Sequence, residues 1–67
     1  MILLNGEDSD LQAGDTVAAA LARLRLSIDA RGVAVAVAGE VVPRAAWETF
    51  ALAADARVEV LTAMQGG

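Results

Sequence analysis

The sequence predicts an α+β fold, with one helix packed on one face of a small sheet. Three observations predict it. Asn5-Gly6 follows the apolar run Met1-Ile2-Leu3-Leu4, and Asn-Gly is the strongest two-residue signal for a hairpin. Val17, Ala20, Leu21 and Leu24 recur at i, i+3, i+4 and i+7, which is one face of a helix. Two later stretches, Val33 to Ala38 and Val58 to Thr62, alternate with the period of a strand. A hairpin, one helix and then more strands make a layered fold with the helix on one face of the sheet.

The elements follow in chain order. The first strand is the apolar run Met1 to Leu4. The second is expected to run back through Asp8-Ser9-Asp10-Leu11-Gln12, weakly apolar and acidic, as suits an edge that resists pairing with other chains. Asp8 and Asp10 could be imagined as a catalytic carboxylate pair, but alternation places them on one solvated face with nothing to raise a pKa. Gly14-Asp15-Thr16 marks a helix start, with Asp15 or Thr16 as the N-cap. The helix is expected to end by Leu26, with Arg23 and Arg25 offsetting its dipole. Ser27 to Gly32 reads as a loop with a turn around Ile28 and Asp29.

Val33-Ala34-Val35-Ala36-Val37-Ala38 alternates between large and small apolar residues. Such a strand is either covered on both faces, as a central core strand, or leaves a flat apolar face open to a partner. Gly39-Glu40 reads as a turn and Val41-Val42 as a very short strand. Pro43, which has no N–H, ends regular pairing. Arg44 to Trp47 is expected to form a short helical turn, with Trp47 and Phe50 facing inward as aromatic anchors. Arg44 reads either as a surface charge or as a contact for an acidic or phosphate group. Ala51 to Ala56 is a loop, and Val58, Val60 and Thr62 lie on one side of the last strand.

Composition removes many functions. The chain has 67 residues, enough for one small domain that buries only about 60% of its unfolded surface. It has no Cys and no His, so it lacks thiolate chemistry, disulfides and the commonest general base and metal ligand. All five cations are Arg, and there is no Lys. The net charge of −4 argues against nucleic acid and anionic membrane as partners. One Trp, one Phe and no Tyr make base stacking implausible. The purely apolar run Val33 to Ala38, which no other run exceeds, is far short of the roughly 20 residues that span a bilayer. With no signal peptide pattern either, the expected location is the cytoplasm.

The chain ends in Gln65-Gly66-Gly67. Two residues without Cβ can enter a narrow slot, and they end in a carboxylate. With Gly at about 7% of residues, such a pair arises by chance about once in 200 chains. No Gly-rich phosphate loop joins a strand to a helix, and no Walker-type Lys is present.

Several stretches together resemble the ubiquitin-like β-grasp sulfur carriers, of the ThiS type in thiamin biosynthesis. They are the Asn5-Gly6 turn, Gly14-Asp15-Thr16-Val17, Arg31-Gly32-Val33-Ala34-Val35-Ala36, and Val41-Val42-Pro43-Arg44 with Trp47 three residues on. Arg57-Val58-Glu59-Val60-Leu61 and Gln65-Gly66-Gly67 complete the set. The resemblance implies a mixed sheet of about four to five strands on one helix. It divides the chain into a β-grasp domain over 1–62 and a flexible, extended Gly-Gly tail over 63–67. Two positions depart from the family pattern. Ala38 stands where Asn is usual, and Ala54-Asp55-Ala56 replaces a Gly-Asp; a missing Gly costs about 1 kcal/mol where φ > 0 is required.

The resemblance also implies a role. An E1-like adenylyltransferase of the ThiF type uses ATP and Mg²⁺ to adenylate the Gly67 carboxylate. A sulfur donor protein then supplies sulfur, and the resulting thiocarboxylate serves a thiazole synthase of the ThiG type. Gly67 is the modified residue and Gly66 and Gln65 are the tail recognition residues. No residue of the chain is catalytic and none holds a metal or cofactor, so the chain is a cosubstrate. Three alternatives stay open: the small subunit of molybdopterin synthase, a modifier joined to lysines through Gly67, and an interaction domain with an inert tail.

Overall fold

The computed structural model describes residues 1–63. Their elements are β1 (Leu3–Leu4), β2 (Glu7–Asp8), α1 (Val17–Arg23), β3 (Val33–Val37), β4 (Glu40–Val42), a 3₁₀ turn (Arg44–Ala46) and β5 (Arg57–Thr62). The strands form one sheet in the order β2-β1-β5-β3-β4. β1 runs parallel to β5 and every other pair is antiparallel. This is the expected α+β arrangement, a mixed sheet with α1 on one face.

The hairpin forms because Asn5 and Gly6 both take positive φ, 53° and 83°, as a type I′ turn needs. The second strand is much shorter than expected. It stops at Asp8 because the Ser9 hydroxyl donates to the Ile2 carbonyl and itself accepts from the Leu11 N–H. That turn carries Leu11 off the sheet edge and into the core, 5% exposed.

Of the two N-cap candidates, Thr16 caps the helix: its hydroxyl accepts from the Ala19 N–H at 3.3 Å. Asp15 instead accepts from the Gln12 N–H, bracing the loop before it. The other free donors of the first turn are also met. Val17 N–H donates to the Phe50 carbonyl and Ala18 N–H to Trp47, while the first intrahelical bond runs from Ala20 N–H to the Thr16 carbonyl. Segment 47–52 is therefore sewn to the helix entrance by backbone bonds.

α1 ends at Arg23, within the expected bound of Leu26. Leu26 N–H donates to the Leu21 carbonyl and Arg25 N–H to that of Ala22, with Arg25 at φ 60°. That is a Schellman ending with Arg where Gly is usual. Leu24 therefore lies past the helical face and is 36% exposed, while Val17, Ala20 and Leu21 are fully buried. Arg23, in the last turn, pairs with Asp10 at 2.6 Å.

In β3 the two sides part company. Val35 and Val37 are buried against the helix, Ala34 is exposed and Ala36 is half-buried. The reading of a strand covered on both faces is thus overturned: one face packs and the other is open. The turn after β3 lies one residue earlier than expected, at Ala38 and Gly39, with Glu40 already paired in β4.

Trp47 is buried at 2% exposure and its indole N–H donates to the Val42 carbonyl at 2.9 Å. Phe50 does not face inward. It sits at the rim of the core, 38% exposed, held at the helix entrance by the bond to its carbonyl, and Leu52 fills the inner place. The core is completed by Ile2, Leu4, Val58 and Val60. Each such side chain contributes about 1.5–3 kcal/mol by leaving water. Among the described residues no polar or charged side chain is buried.

Candidate functional site

Gln65, Gly66 and Gly67, the residues singled out for the tail, lie outside the described residues. What can be described is the stem that carries them. β5 is the middle strand of the sheet, with β1 on one side and β3 on the other. Alternation sends Val58 and Val60 into the core, which anchors the strand, and turns Arg57, Glu59 and Leu61 outward. Five registered pairs from Val33↔Thr62 to Val37↔Val58 tie β5 to β3.

The stem is held one residue beyond the strand. Ala63 N–H donates to the Gly32 carbonyl at 2.6 Å. Gly32 has φ 72°, and a Cβ there would lie 3.3 Å from Ala63 Cβ and 3.4 Å from its carbonyl oxygen. Only a residue without a side chain suits both the backbone angle and this approach. The loop that delivers Gly32 is itself clamped. The Arg44 guanidinium donates to the carbonyls of Ile28 and Ala30 and lies over the Trp47 ring, 4.5 Å from its centroid. Arg44 is exposed, as a surface charge is expected to be, but its guanidinium is engaged. It is a cross-brace, and the fork geometry of Arg suits two carbonyls at once.

Beside the stem lies the open face of the sheet. Ala34 pairs with Leu61, and Ala36 lies between Glu59 and Val41. Leu61 and Val41 are 69% and 76% exposed. The small Ala side chains leave this surface flat, with Glu59 lying between Leu61 and Arg57 along β5. Leu61 and Val41 stand on either side of the β3 alanines, with β3 between them.

The chemistry available within the described residues is sparse. They hold no group of three or more His, Cys, Asp or Glu able to bind a metal ion. Asp8 and Asp10 do not form a pair. Asp10 is taken by Arg23, and the hydrogen bond from that guanidinium holds its carboxyl below the usual range. A depression at the other end of β5 is lined by Gly6, Ala38, Gly39, Arg57 and Glu59, and Glu59 is the one carboxylate on its wall. No helix among the described residues is long and apolar enough to cross a membrane.

The sequence reading did not find the Gly32–Ala63 contact. Gly32 appeared there as the end of a loop and in a family stretch, and the approach depends on two segments meeting in space. Arg44 was found as a position, but the carbonyls it reaches belong to a loop with no sequence signal for accepting it.

Comparison with known proteins gives the following. The family model described as the ThiS family matches residues 2–67. The crystal structure of a thiamine biosynthesis protein (ThiS) from Geobacter metallireducens is similar, with a TM-score of 0.72 and 29% identity over 98% of this chain and 97% of that one. An NMR solution structure of a thiamine biosynthesis protein from the same organism has the same TM-score and identity, covering 98% of this chain and 86% of that one. No curated protein sequence matches significantly. The likeness to these structures assigns the sheet and helix described above to the ubiquitin-like β-grasp fold.

Proposed function

The chain belongs to the ThiS family, and from that premise we propose that it is a sulfur carrier of thiamin biosynthesis whose reactive group is the Gly67 carboxylate. The observation that carries the reading is the reach of the family match, which runs through Gly66 and Gly67 to the last residue. A C-terminal carboxyl has a pKa of about 3.3–3.7, so near neutral pH it is ionised and needs no base to act as a nucleophile.

The proposed steps use groups of other proteins. One Gly67 carboxylate oxygen attacks the α-phosphorus of ATP in an E1-like adenylyltransferase, with Mg²⁺ on the phosphates, and pyrophosphate leaves. A sulfide equivalent from a sulfur donor adds to the acyl carbon, and AMP departs with the original oxygen. The thiocarboxylate then gives its sulfur to a thiazole synthase. This chain's part is to present the carbon. Gly66 and Gly67 carry no side chain to block a slot, and Gln65 is the residue left for recognition beside them. The tail springs from the middle strand, and the flat face beside it is the proposed contact for the adenylyltransferase, since that enzyme must receive the tail. The family match favours the thiamin branch over a molybdopterin synthase small subunit.

ATP–pyrophosphate exchange by a ThiF-type adenylyltransferase tests this step. The full chain should support exchange, and a chain lacking Gly66-Gly67 or ending in a carboxamide should not. Exchange that persists with the truncated chain, or its absence with the full chain, rules the proposal out.

A further inference from the structure

We propose that Gly32 is a positioning residue: it latches Ala63 and so fixes the last described point of the stem before the proposed reactive end. The inference rests on the proposed function for its consequence, though its geometry stands independently. Two contacts make the latch. The Gly32 carbonyl accepts from the Ala63 N–H at 2.6 Å, and the missing side chain of Gly32 leaves room for Ala63, whose Cβ would be 3.3 Å from any Cβ placed there.

That approach is tighter than ordinary contact, so a methyl group at residue 32 displaces Ala63 by a few tenths of an ångström. Residue 32 has little freedom to give way. The loop before it is pinned by Arg44 through the carbonyls of Ile28 and Ala30, and β3 begins at Val33, paired with Thr62. Displacement therefore falls on Ala63, the last described residue before the reactive end. Small misplacements of a reacting group cost large factors in rate, because productive geometry is narrow. Arg44 and Trp47 thus act on the tail at second hand, by holding the loop that holds Gly32.

The structure supplies its own control. Gly39 also has positive φ, 84°, but a Cβ there meets nothing within 4 Å. Gly39→Ala imposes a similar backbone strain without touching the stem. The experiment compares wild type, Gly39→Ala, Gly32→Ala and the double variant Gly32→Ala/Ala63→Gly, which restores room at residue 63. Thermal unfolding of each gives the stability cost. The two readouts are kcat/KM of ATP–pyrophosphate exchange with a ThiF-type adenylyltransferase and hydrogen exchange of the residue 63 amide.

The expected result is a kcat/KM about five- to tenfold lower for Gly32→Ala than for Gly39→Ala. The double variant recovers most of that loss, and residue 63 loses amide protection only in Gly32→Ala. Equal kcat/KM for the two single variants overturns the inference, as does a deficit that Ala63→Gly fails to relieve. If wild type supports no exchange, the proposed function falls instead. The amide measurement then decides the latch alone: equal protection at residue 63 in Gly32→Ala and Gly39→Ala overturns it.

Discussion

Asn5 does two jobs at one position. Its φ of 53° closes the first hairpin, and its side-chain oxygen accepts from the Val60 N–H on β5 at 2.8 Å. The first job was legible in the sequence, because a type I′ turn demands Asn-Gly or its equivalent. The second was not, because it joins residues 55 apart. Asn5→Ala should cost about 2–3 kcal/mol, summing an orphaned, partly buried N–H and the strain of a methyl at positive φ. Asn5→Asp keeps an acceptor and tolerates the angle, so it should cost under about 1 kcal/mol. Urea denaturation with an unchanged slope measures both, and equal losses would contradict the side-chain bond. Ala38 is the opposite case. It adopts φ 52° with no side-chain oxygen to ease the angle, at the position where the family pattern has Asn. Ala38→Asn should raise stability by about 0.5–1 kcal/mol in the same titration; no gain would mean the turn relaxes without strain. The second departure costs nothing comparable, because the positive φ of that turn falls on Asp55, at 64°, and not on Ala54. Asp is among the residues that accept such an angle.

At the scale of elements, what could be read from the sequence was periodic and local. The valines of β3 and β5, the face Val17-Ala20-Leu21 and the Thr16 cap all follow from spacing and from short-range chemistry. The misreadings lie where backbone bonds from elsewhere took control. Ser9 ended β2 by bonding Ile2, Arg25 ended α1 in a conformation usually given to Gly, and the donors of the first helical turn fixed segment 47–52 so that Leu52 filled the core and Phe50 did not. The clamp of Arg44 on Ile28 and Ala30 belongs to the same class. A Lys there cannot span both carbonyls with a planar fork or stack on Trp47 in the same way. Arg44→Lys should cost about 1 kcal/mol and speed exchange of the Ala30 amide, which donates to Ser27. A surface substitution with no such role stays within about 0.5 kcal/mol. A change that small, with unaltered exchange, would remove the brace from the account.

For the molecule as a whole, the order of strands matters most. β5 lies in the middle of the sheet, paired on both sides, and Ala63 follows it beside a sheet face that carries the exposed side chains of Leu61 and Val41. A domain with no Cys, His or Lys is poorly equipped to act on others. Under the proposed function it holds out one end to be acted upon. Membership of the ThiS family was legible in the family stretches, the proposed role of Gly67 rests on that membership, and the latch at Gly32 needed the fold. The central claim concerns a single atom exchange at Gly67. The measurement is intact mass, with fragmentation to locate the change, after incubation with a ThiF-type adenylyltransferase, ATP, Mg²⁺ and a sulfur source. The account predicts the replacement of one oxygen by one sulfur in the C-terminal fragment containing Gly67. An unchanged mass, or the same gain in a chain lacking Gly66-Gly67, would contradict it.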